Sequence, residues 1–324
     1  MHVPPLLRRT RTRPHDLREG EQLDVLLYTL PGARGVRLTL TITHAFRPFT
    51  MSPVFRVLPH LASRAGAREA VLKLFDRRSL TNAREEYRAA GAEAEYDERK
   101  EEAYRAFCAA VAEGGQRPLA VEEDPWDAHE RVEADDGALE AYLAHCASTM
   151  FTAERAAYAR LRAVQGDVVP RAYGTVVVHA GGEIVRGLLL ENVRGGVSVE
   201  RVVRGWKGSR EEIGRVCEEA VGCVRRAALE GFVDEDVRAA NVLVRRAGER
   251  KERAGRAGRS RVVLVDLADG RVRGRAEDDA EWAEEVRRRD PAAALGRALE
   301  ALVKECVGEG VWRYEAGREE GAQT

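Results

Sequence analysis

The chain has 324 residues, 33% charged and 44% hydrophobic, which is long and apolar enough for more than one folded core and excludes disorder throughout. Its 53 basic and 54 acidic residues leave a net charge of −1, so electrostatics give no case for nucleic acid or an acidic membrane as partner. No apolar run reaches the roughly 18–20 residues that span a bilayer, and Met1 to Arg9 lacks the long apolar core of a signal peptide.

Residues 1–20, rich in Arg and Pro, are expected to be an unordered tail. Leu23 to Leu30, Val36 to Thr43, Pro53 to Leu58 and Ala70 to Phe75 are apolar or alternating and β-branched, and predict a small antiparallel sheet. The segment from Ser79 to Asp136 is polar, acidic and helix-prone. Tyr104, Phe107, Cys108 and Val111 recur there at helical spacing and predict one amphipathic helix, while Glu122 to Asp127 reads as a loop. Phe151 to Leu161 predicts a helix capped by Thr152, with Ala157, Leu161 and Val164 on one face and Glu154 close to it. Ala172 to Val178 and Val185 to Leu190 predict a hairpin around His179-Ala-Gly-Gly182.

Ser209-Arg-Glu-Glu212 has the form of a capping box. It opens a long helix whose buried stripe is Ile213, Val216, Cys217, Ala220, Val221 and Val224, ended by Gly231. Asp290-Pro291 caps another helix running to about Cys306, with Leu295, Leu299 and Leu302 inward. Residues 313–324 read as a polar tail. The five cysteines, Cys108, Cys146, Cys217, Cys223 and Cys306, form no CxxC pair and read as reduced, partly buried small hydrophobes. A cytoplasmic or nuclear location is expected by elimination.

The chemistry concentrates in Gly231-Phe-Val-Asp-Glu-Asp236-Val-Arg-Ala-Ala-Asn241-Val-Leu-Val244 and in Val262-Val-Leu-Val-Asp266-Leu-Ala268. An aspartate, four residues, an asparagine and a short apolar strand precede a second apolar strand that ends in aspartate. The residues alone admit either a phosphotransfer site or a plain hairpin with polar ends. Upstream, Ala70-Val-Leu-Lys73-Leu-Phe75 holds one lysine inside an apolar strand, which is costly unless its charge is paired or it snorkels from an edge. Glu154 is either a partner for such a charge or an early-turn acid favoured by the helix dipole. Between the two apolar strands, the basic, Gly-rich segment 245–261 reads as a solvated extension, or as a contact for phosphate or an acidic partner.

Taken in order, Lys73, Glu154, Asp236, Asn241 and Asp266 resemble the protein-kinase-like family, most of all the divergent kinase-like proteins abundant in fungi. The resemblance rests on Pro48 to Phe55, Val71 to Arg78, Val168-Val-Pro-Arg-Ala-Tyr-Gly174 and Asp236 to Val244, and covers roughly Leu23 to Arg271. It implies an α+β, two-lobed fold: an antiparallel N-lobe over residues 21–193 with a helical insertion at 79–136, and a reduced, mainly helical C-lobe over 194–312. It further implies ATP and Mg²⁺ as cofactors. Asp236 would act as base toward an acceptor hydroxyl, Asn241 and Asp266 as metal ligands, and Lys73, held by Glu154, as the contact to the nucleotide phosphates. The backbone near Glu191 and Val193 would meet the adenine edge. The acceptor, protein or small molecule, is not named by the sequence.

The departures are specific. Asp234 and Glu235 stand where kinases have His and Arg, and Ala268 stands where they have Gly. The expected phosphate loop, His44 to Ser52, contains no glycine, so fewer backbone amides can approach a phosphate. These features keep two alternatives beside the ATP-dependent phosphotransferase: a pseudokinase acting as a binding module, and a small-molecule kinase with little platform for a protein substrate.

Overall fold

The computed structural model describes residues 12–29, 34–49, 51–60, 68–87, 95–115, 135–245 and 262–316. The loop expected at Glu122 to Asp127 and nearly all of the basic segment 245–261 lie outside them. The chain is mixed α and β and divides into two units: residues 1–152 with 173–192, and residues 153–172 with 193–324. Among the described residues no helix is long and apolar enough to cross a membrane.

The first unit is built on β1 (Gln22–Tyr28), β2 (Val36–Ala45), β3 (Val54–His60), β4 (Ala70–Phe75), β5 (Ala172–Ala180) and β6 (Glu183–Glu191). The strands expected from alternation are present, but they do not form an open sheet. They close into a barrel of order β1-β2-β3-β4-β6-β5. Closure comes from β1, which pairs with β2 on one side and with β5 on the other, Leu26 opposite Val177. Closing the sheet leaves no unpaired edge. The interior is filled by Leu23, Val25, Leu40, Ile42, Phe55, Val57, Leu72, Leu74, Val176 and Val178, all nearly inaccessible. Gly187 lies opposite Leu74, and a Cβ there would meet the Lys73 carbonyl at 2.4 Å, so the close approach of β4 and β6 requires glycine. The β5–β6 turn uses Gly181 and Gly182, both at positive φ (58° and 85°), as a tight hairpin demands.

The expectation of an unordered tail does not hold for residues 12–20. Leu17 is 1% exposed and belongs to the barrel core, and its carbonyl accepts from Arg47 Nη2 at 3.1 Å.

Among the described residues this part of the chain also holds the helices α1 (Thr81–Tyr87), α2 (Glu98–Ala112) and α3 (Asp136–Arg160). Asp97 caps α2 by accepting from the Lys100 amide at 2.8 Å. Helix α2 is the amphipathic helix expected from Tyr104 and Phe107, although Cys108, expected to be half-buried, is exposed. Helix α3 begins well before Phe151, with Asp135 Oδ1 accepting from the Gly137 and Ala138 amides. Thr152 is therefore not its cap; its hydroxyl donates back to the Ser148 carbonyl at 2.8 Å. The division between the two units falls inside this helix.

Where β4 ends, the first unit buries an ionic network. Arg77, 3% exposed, donates to Glu140 (2.8 Å), Glu101 (2.6 Å) and Glu183 (2.8 Å), and its guanidinium lies 3.8 Å from the Tyr104 ring centroid. Arg84 binds the same Glu140 at 2.8 and 3.2 Å. Burial alone would favour a neutral Arg77. The charge and hydrogen bond of Glu183, with Tyr96 and Glu140, outweigh it and hold the guanidinium charged, its pKa above the ordinary value. The network joins the exit of β4 to α2, α3 and β6.

The second unit contains the remaining helices α4 (Val199–Arg204), α5 (Arg210–Leu229), α6 (Asp279–Arg289) and α7 (Pro291–Cys306), with short strands β7 (Val197–Ser198), β8 (Phe232–Asp234), β9 (Val242–Val244), β10 (Val262–Leu264) and β11 (Gly270–Val272). The Ser209–Glu212 capping box is formed in both directions, and the six residues of the expected stripe are all buried. Asp290 caps α7 through the Ala293 amide at 3.1 Å, with Leu295, Leu299 and Leu302 buried. The expected C-terminal tail begins with a packed residue. Tyr314 accepts from Arg225 at 3.3 Å, and its ring occupies the space where a Cβ on Gly296 would stand.

Candidate functional site

Helix α5 feeds the acidic loop directly. It ends at Leu229, Gly231 turns the chain at φ 91°, and β8 runs buried from Phe232 to Asp234. A side chain on Gly231 would meet Arg160 Nε at 2.3 Å, so this reversal also depends on glycine. Strand β8 pairs with β11, Asp234 opposite Gly270, and the Glu235 amide donates to the Asp269 carbonyl at 2.8 Å. The residues just after Asp266 are thereby stitched to the residues just before Asp236.

Within the loop, Asp234 Oδ1 accepts from the Asp236 amide at 3.0 Å. The Asp236 carboxylate is ion-paired with Arg238. Asn241 Nδ2 donates to the Asp236 carbonyl at 3.4 Å, and the Asn241 amide to the Arg238 carbonyl at 2.9 Å. Strands β9 and β10 then pair as the sequence implied, Val242 opposite Leu264 and Val244 opposite Val262. The Val265 amide closes the hairpin on the Asn241 carbonyl at 2.8 Å. Asp266 follows at φ 63°, a left-handed conformation that a non-glycine residue adopts at a cost, and one that clusters at functional positions. Leu267 and Ala268 are buried behind it.

Asp234 is a strongly perturbed acid. It is 4% exposed, and its Oδ2 meets no hydrogen-bond partner among the described residues. Burial pushes its carboxyl up to about 7, the Asp236 amide opposes this, and the charges of Asp236, Asp266 and Asp269 add to it. Four aspartates thus share one electrostatic environment.

The expected site residues divide between the units. Lys73 and Glu191 belong to the first; Glu154, Val193, Asp236, Asn241 and Asp266 belong to the second. Lys73 lies on β4, between β3 and β6, paired with Val54 and Leu188. It is 7% exposed, with Nζ 5.3 Å from the Phe75 ring centroid, so it is not a snorkelling edge residue. Glu154 is fully buried deep within α3, so the early-turn dipole explanation does not apply to it. Glu191 is half-buried at the end of β6, opposite Ala70. Val193 is buried, and its carbonyl accepts from Gly196 at 2.9 Å. The glycine-free connection after β2 is occupied by large side chains: Phe49 packs on Phe55 at 5.2 Å between centroids, and the Arg47 guanidinium covers the Phe49 ring at 4.7 Å.

Among the described residues no group of three His, Cys, Asp or Glu is placed to hold a metal ion by itself. The oxygen-only donors of Asn241 and Asp266 nevertheless suit Mg²⁺, which takes one or two carboxylates and otherwise water and phosphate oxygens. The hairpin that ties Asn241 to Val265 and the orphaned Asp234 oxygen fit that requirement. Sequence reasoning passed over Arg238 and Asp269 and noted Asp234 only as a departure. The signal available was the density of acids: all three residues from Asp234 to Asp236, and both Asp266 and Asp269 in the five residues after β10.

No protein-family profile matches the chain, and no curated protein is similar to it. Among solved structures, the crystal structure of a double mutant of the Mycobacterium tuberculosis PknI kinase domain is similar at 12% identity. It covers 82% of this chain and 74% of its own, with a TM-score of 0.37.

Proposed function

We propose that the chain is an ATP-dependent phosphotransferase of protein-kinase-like fold, with Asp236 as the base and Asn241 and Asp266 as the Mg²⁺ ligands. The observation that supports this best is the double tie between the two acidic segments. The Val265 amide bonds to the Asn241 carbonyl and the Glu235 amide to the Asp269 carbonyl, so the segments that carry Asp236, Asn241 and Asp266 are tied to one another. Asp236 would take the proton of the acceptor hydroxyl, oriented by its ion pair with Arg238. Asn241 and Asp266 would hold the metal, which when bound neutralises phosphate charge. Lys73, a cation buried in the barrel strand, is assigned to the nucleotide phosphates. Glu154 is assigned to holding it, and the backbone near Glu191 and Val193 to the adenine edge.

A binding module without turnover is the second reading, favoured by the Phe49–Arg47 stack where amide donors would be needed. The acceptor class leans toward small molecules. The stretch from Asp266 to α6 is short, and Glu277 ties it down by accepting from the Gly274 amide at 2.6 Å while its carbonyl takes Arg273 at 2.9 Å. The test is Mg²⁺-dependent ATP consumption with panels of hydroxyl acceptors, wild type against Asp236→Asn. Turnover unchanged in that variant removes Asp236 from the chemistry. A wild type that binds nucleotide but consumes none with any acceptor supports the binding module.

A further inference from the structure

Asp234 stands apart from the residues assigned above. It is 4% exposed at the end of β8, held by strand pairing to Gly270, and one of its oxygens already accepts from the Asp236 amide. The other oxygen, Oδ2, is buried without a hydrogen-bond partner among the described residues. A buried carboxylate oxygen left without a donor is costly, and such a group persists where something else brings the donor. Asp236, Asp266 and Asp269 all repel its charge, so a neutral donor alone would leave the repulsion in place. A cation relieves both costs at once. Mg²⁺ and Mn²⁺ keep several waters when protein-bound, and each such water offers a hydrogen bond.

We propose that Asp234 is a positioning residue for a hydrated divalent cation, fixing the Asp236 backbone through Oδ1 and accepting from a metal-bound water through Oδ2. This rests on the reading of Asp266 as a metal ligand. Asp234 is not itself a ligand, in keeping with the lack of three convergent acids around a bare ion among the described residues. Its charge raises cation affinity, and its Oδ1 sets the loop. The two roles separate in Asp234→Asn, which keeps an acceptor for the Asp236 amide and removes the charge.

The experiment is Mn²⁺ binding to the full chain, followed by the loss of free-ion paramagnetic signal, for wild type, Asp234→Asn and Asp266→Ala. Protection of the Asp236 amide against hydrogen exchange is measured in parallel. Asp234→Asn should bind Mn²⁺ about ten-fold more weakly, the usual cost of losing an outer partner, with the Asp236 amide still protected. Asp266→Ala should lose binding altogether. Wild-type affinity in Asp234→Asn with binding lost in Asp266→Ala overturns the role of Asp234 and leaves the site reading standing. Equal binding by all three, or by none, removes both. Should Asp234→Asn not fold, Asp234→Ser keeps an oxygen acceptor in a smaller side chain and carries the same expected loss.

Discussion

Removing the Asp234 charge should change how stability depends on pH, in a direction fixed by its burial. Its folded-state carboxyl is raised from 3.8 to about 7. A raised acid binds its proton more tightly in the folded than in the unfolded chain. Its favourable contribution is therefore fully present below the unfolded value near 3.8 and is lost as pH rises through about 7. At 1.36 kcal/mol per unit, the part lost between about pH 5 and about pH 8 is roughly 3 kcal/mol. Asp234→Asn cannot titrate and should lose this slope. Its amide nitrogen takes the place of an oxygen that has no hydrogen-bond partner among the described residues, which costs about 1–3 kcal/mol at every pH. The variant should accordingly be less stable than wild type near pH 5 and close to it, or better, near pH 8. Urea unfolding in EDTA, followed by tryptophan fluorescence, suits the measurement. Three of the four tryptophans, Trp206, Trp282 and Trp312, lie in the second unit, and Trp282 is buried with Nε1 donating to the Ala228 carbonyl at 2.8 Å. The quantity to compare is the wild-type minus variant difference across pH. A difference constant to within about 1 kcal/mol from pH 5 to pH 8 would refute the reasoning.

Other expectations follow from the same geometry. Glu140→Ala leaves Arg77 and Arg84 buried with one shared partner gone and should destabilise the first unit by about 3–5 kcal/mol, read by denaturation under circular dichroism; a cost below about 1 kcal/mol would show the network to be solvated. Millimolar Mg-ATP should raise the melting temperature by roughly 2–6 °C, given weak binding worth about 1–2 kcal/mol. That shift should nearly vanish in EDTA, and one of equal size with and without divalent metal would exclude Asn241 and Asp266 as ligands. Asp290→Ala should cost about 1 kcal/mol through loss of the α7 cap, and no change in thermal midpoint would show that Pro291 suffices to start the helix.

Much of the second unit was legible because its signals are local. The Ser209–Glu212 box, the stripe from Ile213 to Val224 and the Asp290-Pro291 start each fall within one or two helical turns, and the pairing of β9 with β10 follows from two short apolar runs. What escaped depends on contacts between distant segments. Nothing near Leu26 announces Val177 as its partner, so barrel closure was not readable from strand patterns. Thr152 satisfies the residue preference of a cap while bonding to a carbonyl one turn back, and the alanine-rich sequence before it gives little periodicity. Leu17 and Tyr314 are single anchors within polar stretches. Arg77, Arg84, Glu101 and Glu140 look like surface charges in sequence and are buried only because they meet one another. At the candidate site the sequence supplied Asp236, Asn241 and Asp266. The burial of Asp234 comes from the β8–β11 pairing, and the left-handed backbone of Asp266 from the turn after β10.

The most direct measurement is calorimetric titration of ATP with Mg²⁺ into wild type and into Asp266→Ala, each shown to be folded by its unfolding transition. Wild type should bind with an affinity that falls at least ten-fold when Mg²⁺ is withheld, and Asp266→Ala should bind equally weakly with or without the metal. Binding by Asp266→Ala that keeps the full wild-type dependence on Mg²⁺ would contradict the assignment of the Asp236–Asn241–Asp266 arrangement as a metal–nucleotide site.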